Sequence, residues 1–181
     1  MRRTRNERVR GVDCLTFQKW QKKVKTRITF KQKIMKYFTI EELIYSDTAL
    51  KKKIRNKTTQ EVERNLQRLV KTVLDPLREA YGEPINVSSG YRCAELNKEV
   101  GGVETSQHTT GCAADIDAGS LAKNGDLARL IVSLGLPFDQ LIDECNYAWV
   151  HVSVAADGKT ARKKILRYDG KKYTNITPNQ L

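Results

Sequence analysis

The stretch TTQEVERNLQRLVKTVLDPLREAYG, residues 58–82, constrains the fold more than any other part of this chain. Its apolar residues Val62, Leu66, Leu69, Val70, Val73, Leu74 and Leu77 recur at helical spacing. A helix of that kind buries one stripe, so the rest of the chain must supply an apolar face to cover it. Thr58 with Glu61 reads as a capping box that starts the helix, Pro76 is placed to kink it, and Gly82 to end it.

The covering face comes from strands. INVSS, AADIDA, FDQLIDE and AWVHVSVA are short runs of strand character, and RKKILRYDGKKYTNI reads as a hairpin around an Asp169-Gly170 turn. Before the long helix, TIEE at Thr39 to Glu42 is a second capping box and starts a short helix. GYRCAELNKEVGG reads as a turn with a short helix, and NGDLARLIVSLG carries Leu127, Leu130, Ile131 and Leu134 on one helical face. Helices lead and mostly antiparallel strands follow, so the expected class is α+β, with N-terminal helices packed on a small sheet.

A length of 181 residues suits one domain with extensions. The net charge of +12 is uneven: residues 1–34 hold twelve Lys/Arg against two Asp/Glu, which leaves 21 against 19 for the remainder. This divides the chain into a basic, poorly patterned extension (1–34) and a domain over 35–181. The extension is either a phosphate-binding segment or sequence upstream of a true start at Met35, where MKYFTIEEL opens a domain at once. No apolar run approaches the roughly 18 residues of a membrane span, and no apolar stretch of secretory type follows the basic N-terminus. Cys14, Cys93, Cys112 and Cys145 lack the spacing of a disulfide framework and are expected to be reduced thiols.

The chain has two histidines, and both lie near strand-borne carboxylates. In YAWVHVSVA, Val150, Val152 and Val154 share one face by alternation, while Trp149, His151 and Ser153 share the other, so His151 points away from the core. In SQHTTGCAADIDA the same rule groups Gly111, Ala113, Asp115 and Asp117, the small residues giving clearance in front of Asp115, and turns Cys112 away from it. His108, Asp115 and His151 form a catalytic-zinc ligand set if the two strands are neighbours. Spacing alone equally permits surface or capping roles for His108 and Asp115.

SGYRC, LNKEVGG, SQHTTGCAADID, FDQLIDE and WVHVSVA, taken together and in this order, resemble the peptidase M15 family over roughly residues 38–155. These are the zinc D-Ala-D-Ala carboxypeptidases and related peptidoglycan peptidases, which share a metal-site fold with the hedgehog signalling domain. The resemblance implies one zinc ion per chain, held by His108, Asp115 and His151. It implies a general base at the end of the strand before Trp149, best filled by Glu144, with Asp143 on the opposite face. It also implies a substrate-holding role for Arg92. Ser106 and Gln107 are expected to hydrogen-bond a ligand or the substrate, and Trp149 to wall the cleft. Cys145, next to Glu144, is a remote candidate for thiol coordination.

The expected function is therefore hydrolysis of an amide bond in peptidoglycan stem peptides or their crosslinks, of D-Ala-D-Ala carboxypeptidase or endopeptidase type. A phage or prophage endolysin, monomeric and held in the cytoplasm until released to the wall, fits the absence of a signal-like segment. A catalytically silent zinc module, or nucleic-acid binding through residues 1–34, are the alternatives from other classes.

Overall fold

The computed structural model describes residues 35–181, so the basic extension and the question of a start at Met35 lie outside the described residues. Two short helices come first, α1 (Ile40–Ile44) and α2 (Asp47–Lys52). The capping box at α1 is present: Thr39 accepts from the Glu42 amide, and the Glu42 carboxylate accepts from the Thr39 amide at 2.8 Å.

The long amphipathic segment forms one continuous helical run with a change of register inside it. Helix α3 (Gln60–Leu69) passes into a π-helical turn (Val70–Leu74) and then into α4 (Asp75–Tyr81). The π turn stands immediately before Pro76, where the sequence suggests a kink. Proline has no amide hydrogen for the carbonyl four residues back, and a wider turn just upstream lets the ladder restart with Pro76 in its first turn, where no such bond is needed. The cap also lies one residue later than the sequence suggests. Thr59 accepts from the Val62 amide at 3.2 Å, while Thr58 donates to Glu63. Gly82 ends the run with φ of 80°.

Next come β1 (Asn86–Ser89), α5 (Ala94–Glu99), a 3-10 turn (Gln107–Thr110), β2 (Ala113–Asp117) and α6 (Leu121–Ser133). The remaining strands are β3 (Gln140–Glu144), β4 (Trp149–Ser153), β5 (Lys164–Tyr168) and β6 (Tyr173–Asn175). They form one six-stranded sheet in the order β1-β2-β4-β3-β5-β6. All pairs are antiparallel except β3 with β5.

The sheet has two unlike faces. Ala114, Ile116, Leu141, Val150, Val152 and Ile165 join Leu66, Leu69, Val73, Leu77, Leu127 and Ile131 in one buried core, so the helices cover this face. Burial of each large aliphatic side chain there contributes roughly 1.5–3 kcal/mol. The opposite face carries Asp115, His151, Ile142, Glu144, Leu166 and Tyr168, which line a cleft of about 640 Å³. Side chains alternate along a strand, so valine packing on one side fixes what the other side presents.

Candidate metal centre

His108 sits in the 3-10 turn between α5 and β2. Ser106 caps this turn by accepting from the His108 amide, and Gly111 closes it in the left-handed conformation at φ of 73°. The position reserved for a Gly111 side chain faces the Val62 carbonyl and Leu66 in α3 rather than the cleft. Gly111 is therefore a close-packed turn residue, and the clearance expected of it in front of Asp115 is not its role.

Asp115 and His151 are direct cross-strand partners on β2 and β4. His108 Nε2 lies 3.2 Å from Asp115 Oδ1 and 3.1 Å from His151 Nδ1, and His151 Nδ1 lies 2.9 Å from the same carboxylate oxygen. The other ring nitrogen of His108 donates to the Gly90 carbonyl at 2.6 Å. A carbonyl only accepts, so the proton is on Nδ1 and the Nε2 lone pair points at the cluster. Burial holds the His108 imidazole below its ordinary pKa and hence neutral. Burial acts to raise the Asp115 carboxyl, but the two histidines set against it, His108 and then His151, outweigh burial and hold the group well below the usual carboxylate range.

Electron-pair donors of three residues thus meet at one buried point. These atoms suit a divalent cation, and His108, Asp115 and His151 are the one group of this kind among the described residues. Two imidazoles and a carboxylate are a ligand set that zinc accepts, leaving a coordination position free. Cys112 is buried against Arg68, and Cys145 is exposed in the turn after β3, so neither belongs to the cluster.

Glu144, at the end of β3, is 8% exposed and faces the cleft beside the triad. Burial raises its pKa above the ordinary value, with His151 pulling the other way. Asp143 points to the opposite face, where it is fully buried and accepts from Arg167 Nε and the Tyr147 amide, both at 2.6 Å. The turn that follows places Cys145, Asn146 and Tyr147 consecutively in the left-handed region, at φ of 52°, 58° and 62°. Buried Asn124 donates to the Tyr147 carbonyl at 3.0 Å and to Asp117 at 2.8 Å, so Asp117 ties β2 to this turn.

Arg92 reaches into the cleft with Nη2 3.7 Å from Asp115 Oδ2, and its buried Nε has no hydrogen-bond partner. Ser106, Gln107 and Trp149 also line the cleft. The Gln107 amide is committed within the protein. It donates to Asp139 and the Val154 carbonyl, and accepts from Ser153 at 2.9 Å. Its neighbour Asp139 is buried and takes bonds from the Arg162 backbone and guanidinium. This network braces the turn that holds His108.

Leu166, Tyr168 and Tyr173 line the same cleft and were not singled out from sequence. Alternation in KILRY already places Leu166 and Tyr168 on one face, but which face meets a site depends on the pairing with β3.

A family model described as Peptidase M15 matches residues 36–153. A comparison with curated proteins finds no match. The matched segment contains the triad, Arg92, Glu144 and Trp149, and ends before β5 and β6.

Proposed function

Since the chain belongs to the peptidase M15 family, we propose that it is a zinc-dependent hydrolase of amide bonds in peptidoglycan stem peptides or crosslinks, of D-Ala-D-Ala carboxypeptidase or endopeptidase type. The observation that carries this reading is the meeting of His108 Nε2, Asp115 Oδ1 and His151 Nδ1 within 3.2 Å in a cleft that Glu144 also lines.

When bound, zinc supplies Lewis-acid chemistry: activation of water near neutral pH and polarisation of the scissile carbonyl. His108, Asp115 and His151 would hold it, and the Gly90 carbonyl fixes the orientation of the His108 ring. Glu144 serves as the general base. Its carboxylate takes a proton from the attacking water and passes it to the leaving amine nitrogen. Burial, which raises its pKa, makes the carboxylate a stronger proton acceptor. Arg92, with an unpartnered buried Nε, offers its guanidinium to a carbonyl or carboxylate oxygen of the substrate. Trp149 walls the cleft, and Ser106 shapes the turn at its rim.

One chain supplies every group named, so we take the monomer as the working unit. The charge of +12 favours approach to an anionic wall, which suits an endolysin. No helix among the described residues is long and apolar enough to cross a membrane.

The test is mass spectrometry of muropeptides digested by the zinc-loaded protein and its variants. Wild type is expected to release peptide products. Glu144→Gln should retain zinc but lose roughly 10²–10⁴-fold in rate, while His151→Ala should lose zinc as well. Zinc binding without any hydrolysis by the wild type would leave the silent-module reading in its place. Full activity of Glu144→Gln would remove Glu144 as the base.

A further inference from the structure

Three aromatic residues and Glu144 form one row across the sheet. Trp149 on β4 is the direct partner of Glu144 on β3, Glu144 of Tyr168 on β5, and Tyr168 of Tyr173 on β6. All four line the cleft. His151, Ile142 and Leu166 make the next row on the same face, so the aromatic row runs beside the metal triad. Neighbouring strands are roughly 4.8 Å apart, which extends the row by about 10 Å from Glu144 to Tyr173.

The outer end of this row is open. Tyr173 is 57% exposed, and its ring stacks on Tyr168 with centroids 4.5 Å apart and planes 27° from parallel. Because the two rings stack face to face, the flat apolar surface left open is the outer face of Tyr173 at the sheet edge, backed by Tyr168 and with the phenol hydroxyl at its margin. That surface suits a pyranose ring, whose axial C–H bonds meet the electron-rich ring face while its hydroxyl and acetamido groups reach the phenols. Across the sheet, on the β2 side of the cleft, the Arg92 guanidinium lies 3.7 Å from Asp115 with its buried Nε unpartnered, whereas Arg162 is held by Asp139. A stem peptide bears its carboxylates along the peptide, and its attachment to sugar is uncharged. A guanidinium on the β2 side and aromatic groups on the β6 side therefore orient such a substrate with its sugar over the tyrosines.

We propose that Tyr168 and Tyr173 form a saccharide subsite, by which the enzyme selects stem peptides still attached to an N-acetylated amino sugar over free peptides. This rests on the peptidoglycan reading above and adds to it the glycan-linked substrate class. Both tyrosines lie beyond residue 153, where the family match ends.

The test has two arms on the full zinc-loaded chain. In the first, chitotetraose, which contains no peptide, is titrated and followed by saturation-transfer NMR. Wild type and Tyr173→Phe are expected to bind it, and Tyr173→Ala to bind about tenfold more weakly, the loss of one stacking contact. In the second, kcat/KM is measured on a sugar-linked stem peptide and on the same peptide without sugar. The ratio of the two should fall about tenfold in Tyr173→Ala and hold in Tyr173→Phe. Absence of chitotetraose binding by wild type, or equal losses on both substrates in Tyr173→Ala, would overturn the subsite. Absence of cleavage of either substrate by wild type would overturn the hydrolase reading, and the chitotetraose arm would then judge the subsite by itself.

Discussion

Asp139 shows how much of this site is held by residues that do no chemistry. It is 3% exposed and accepts from the Arg162 amide, the Arg162 guanidinium and Gln107, whose neighbour in sequence is His108. Burial acts to raise its carboxyl, but the Arg162 and Gln107 bonds prevail and hold it below the usual carboxylate value. A folded-state pKa below the unfolded one means stability that is present above the unfolded pKa, ordinarily near 3.8, and lost as pH falls through the folded value. Denaturant titrations of wild type should therefore show a steeper loss of stability below about pH 4 than those of Asp139→Asn, which lacks the titrating group. At neutral pH the variant should be less stable by about 2 kcal/mol, because several donors lose a charged acceptor. Parallel curves for the two proteins from pH 5 to 2 would show that Asp139 does not contribute in this way. None of this was readable in the sequence, where Asp139 is one carboxylate of FDQLIDE and Arg162 lies 23 residues away.

Among the elements, the segment after β1 shows why the position of His108 depends on backbone packing. Tyr91 donates its amide to the Leu43 carbonyl in α1 at 2.7 Å, and a side-chain carbon on Gly90 would lie 2.1 Å from that same oxygen. Glycine is required there for close approach, and the Gly90 carbonyl brought in by that approach fixes the His108 ring. Gly90→Ala is expected to cost about 2 kcal/mol or more and to weaken zinc affinity together with thermal stability. Leu66→Ala, in the fully buried stripe of α3, should cost about 3 kcal/mol yet leave zinc affinity close to wild type at temperatures where the protein is folded. Isothermal titration with zinc and thermal unfolding of both variants separate the two effects. Equal zinc affinity in wild type and Gly90→Ala would show that this carbonyl does not orient the ligand. Within the same elements, the apolar stripe of 58–82 and the alternation of AWVHVSVA were legible, whereas the π turn ahead of Pro76 and the cap at Thr59 were not. Val70, Val73 and Leu74 are all buried within the π turn, a local widening that a regular helical period does not foretell.

For the whole molecule, charge and chemistry are segregated along the chain. Residues 1–34 carry a net charge of +10 of the total +12, while every group of the cleft lies between residues 92 and 173. Removing residues 1–34 is expected to weaken association with intact walls and to flatten its dependence on salt, since exposed charges beyond roughly 8–10 Å are screened at physiological ionic strength. Hydrolysis of small soluble muropeptides should change little. Sedimentation of the protein with purified walls across a salt series, beside solution turnover, distinguishes the two. An unchanged salt dependence after the deletion would show that the extension does not guide binding.

The sequence by itself determined the α+β class and the long amphipathic helix, which depend on local period, and its likeness to the peptidase M15 family named the triad that spacing alone left open. His108 and Asp115 are seven residues apart, and His151 alternates with valines on its own strand. Only the tertiary structure decided that β2 lies beside β4, which makes Asp115 and His151 cross-strand partners, and that β5 lies parallel to β3. The first pairing brings the candidate metal ligands together, and the second carries Tyr168 and Tyr173 into the same cleft. Strand alternation states which side chains share a face. Which strands become neighbours is set by burial of the whole core, and no local stretch of residues contains that information.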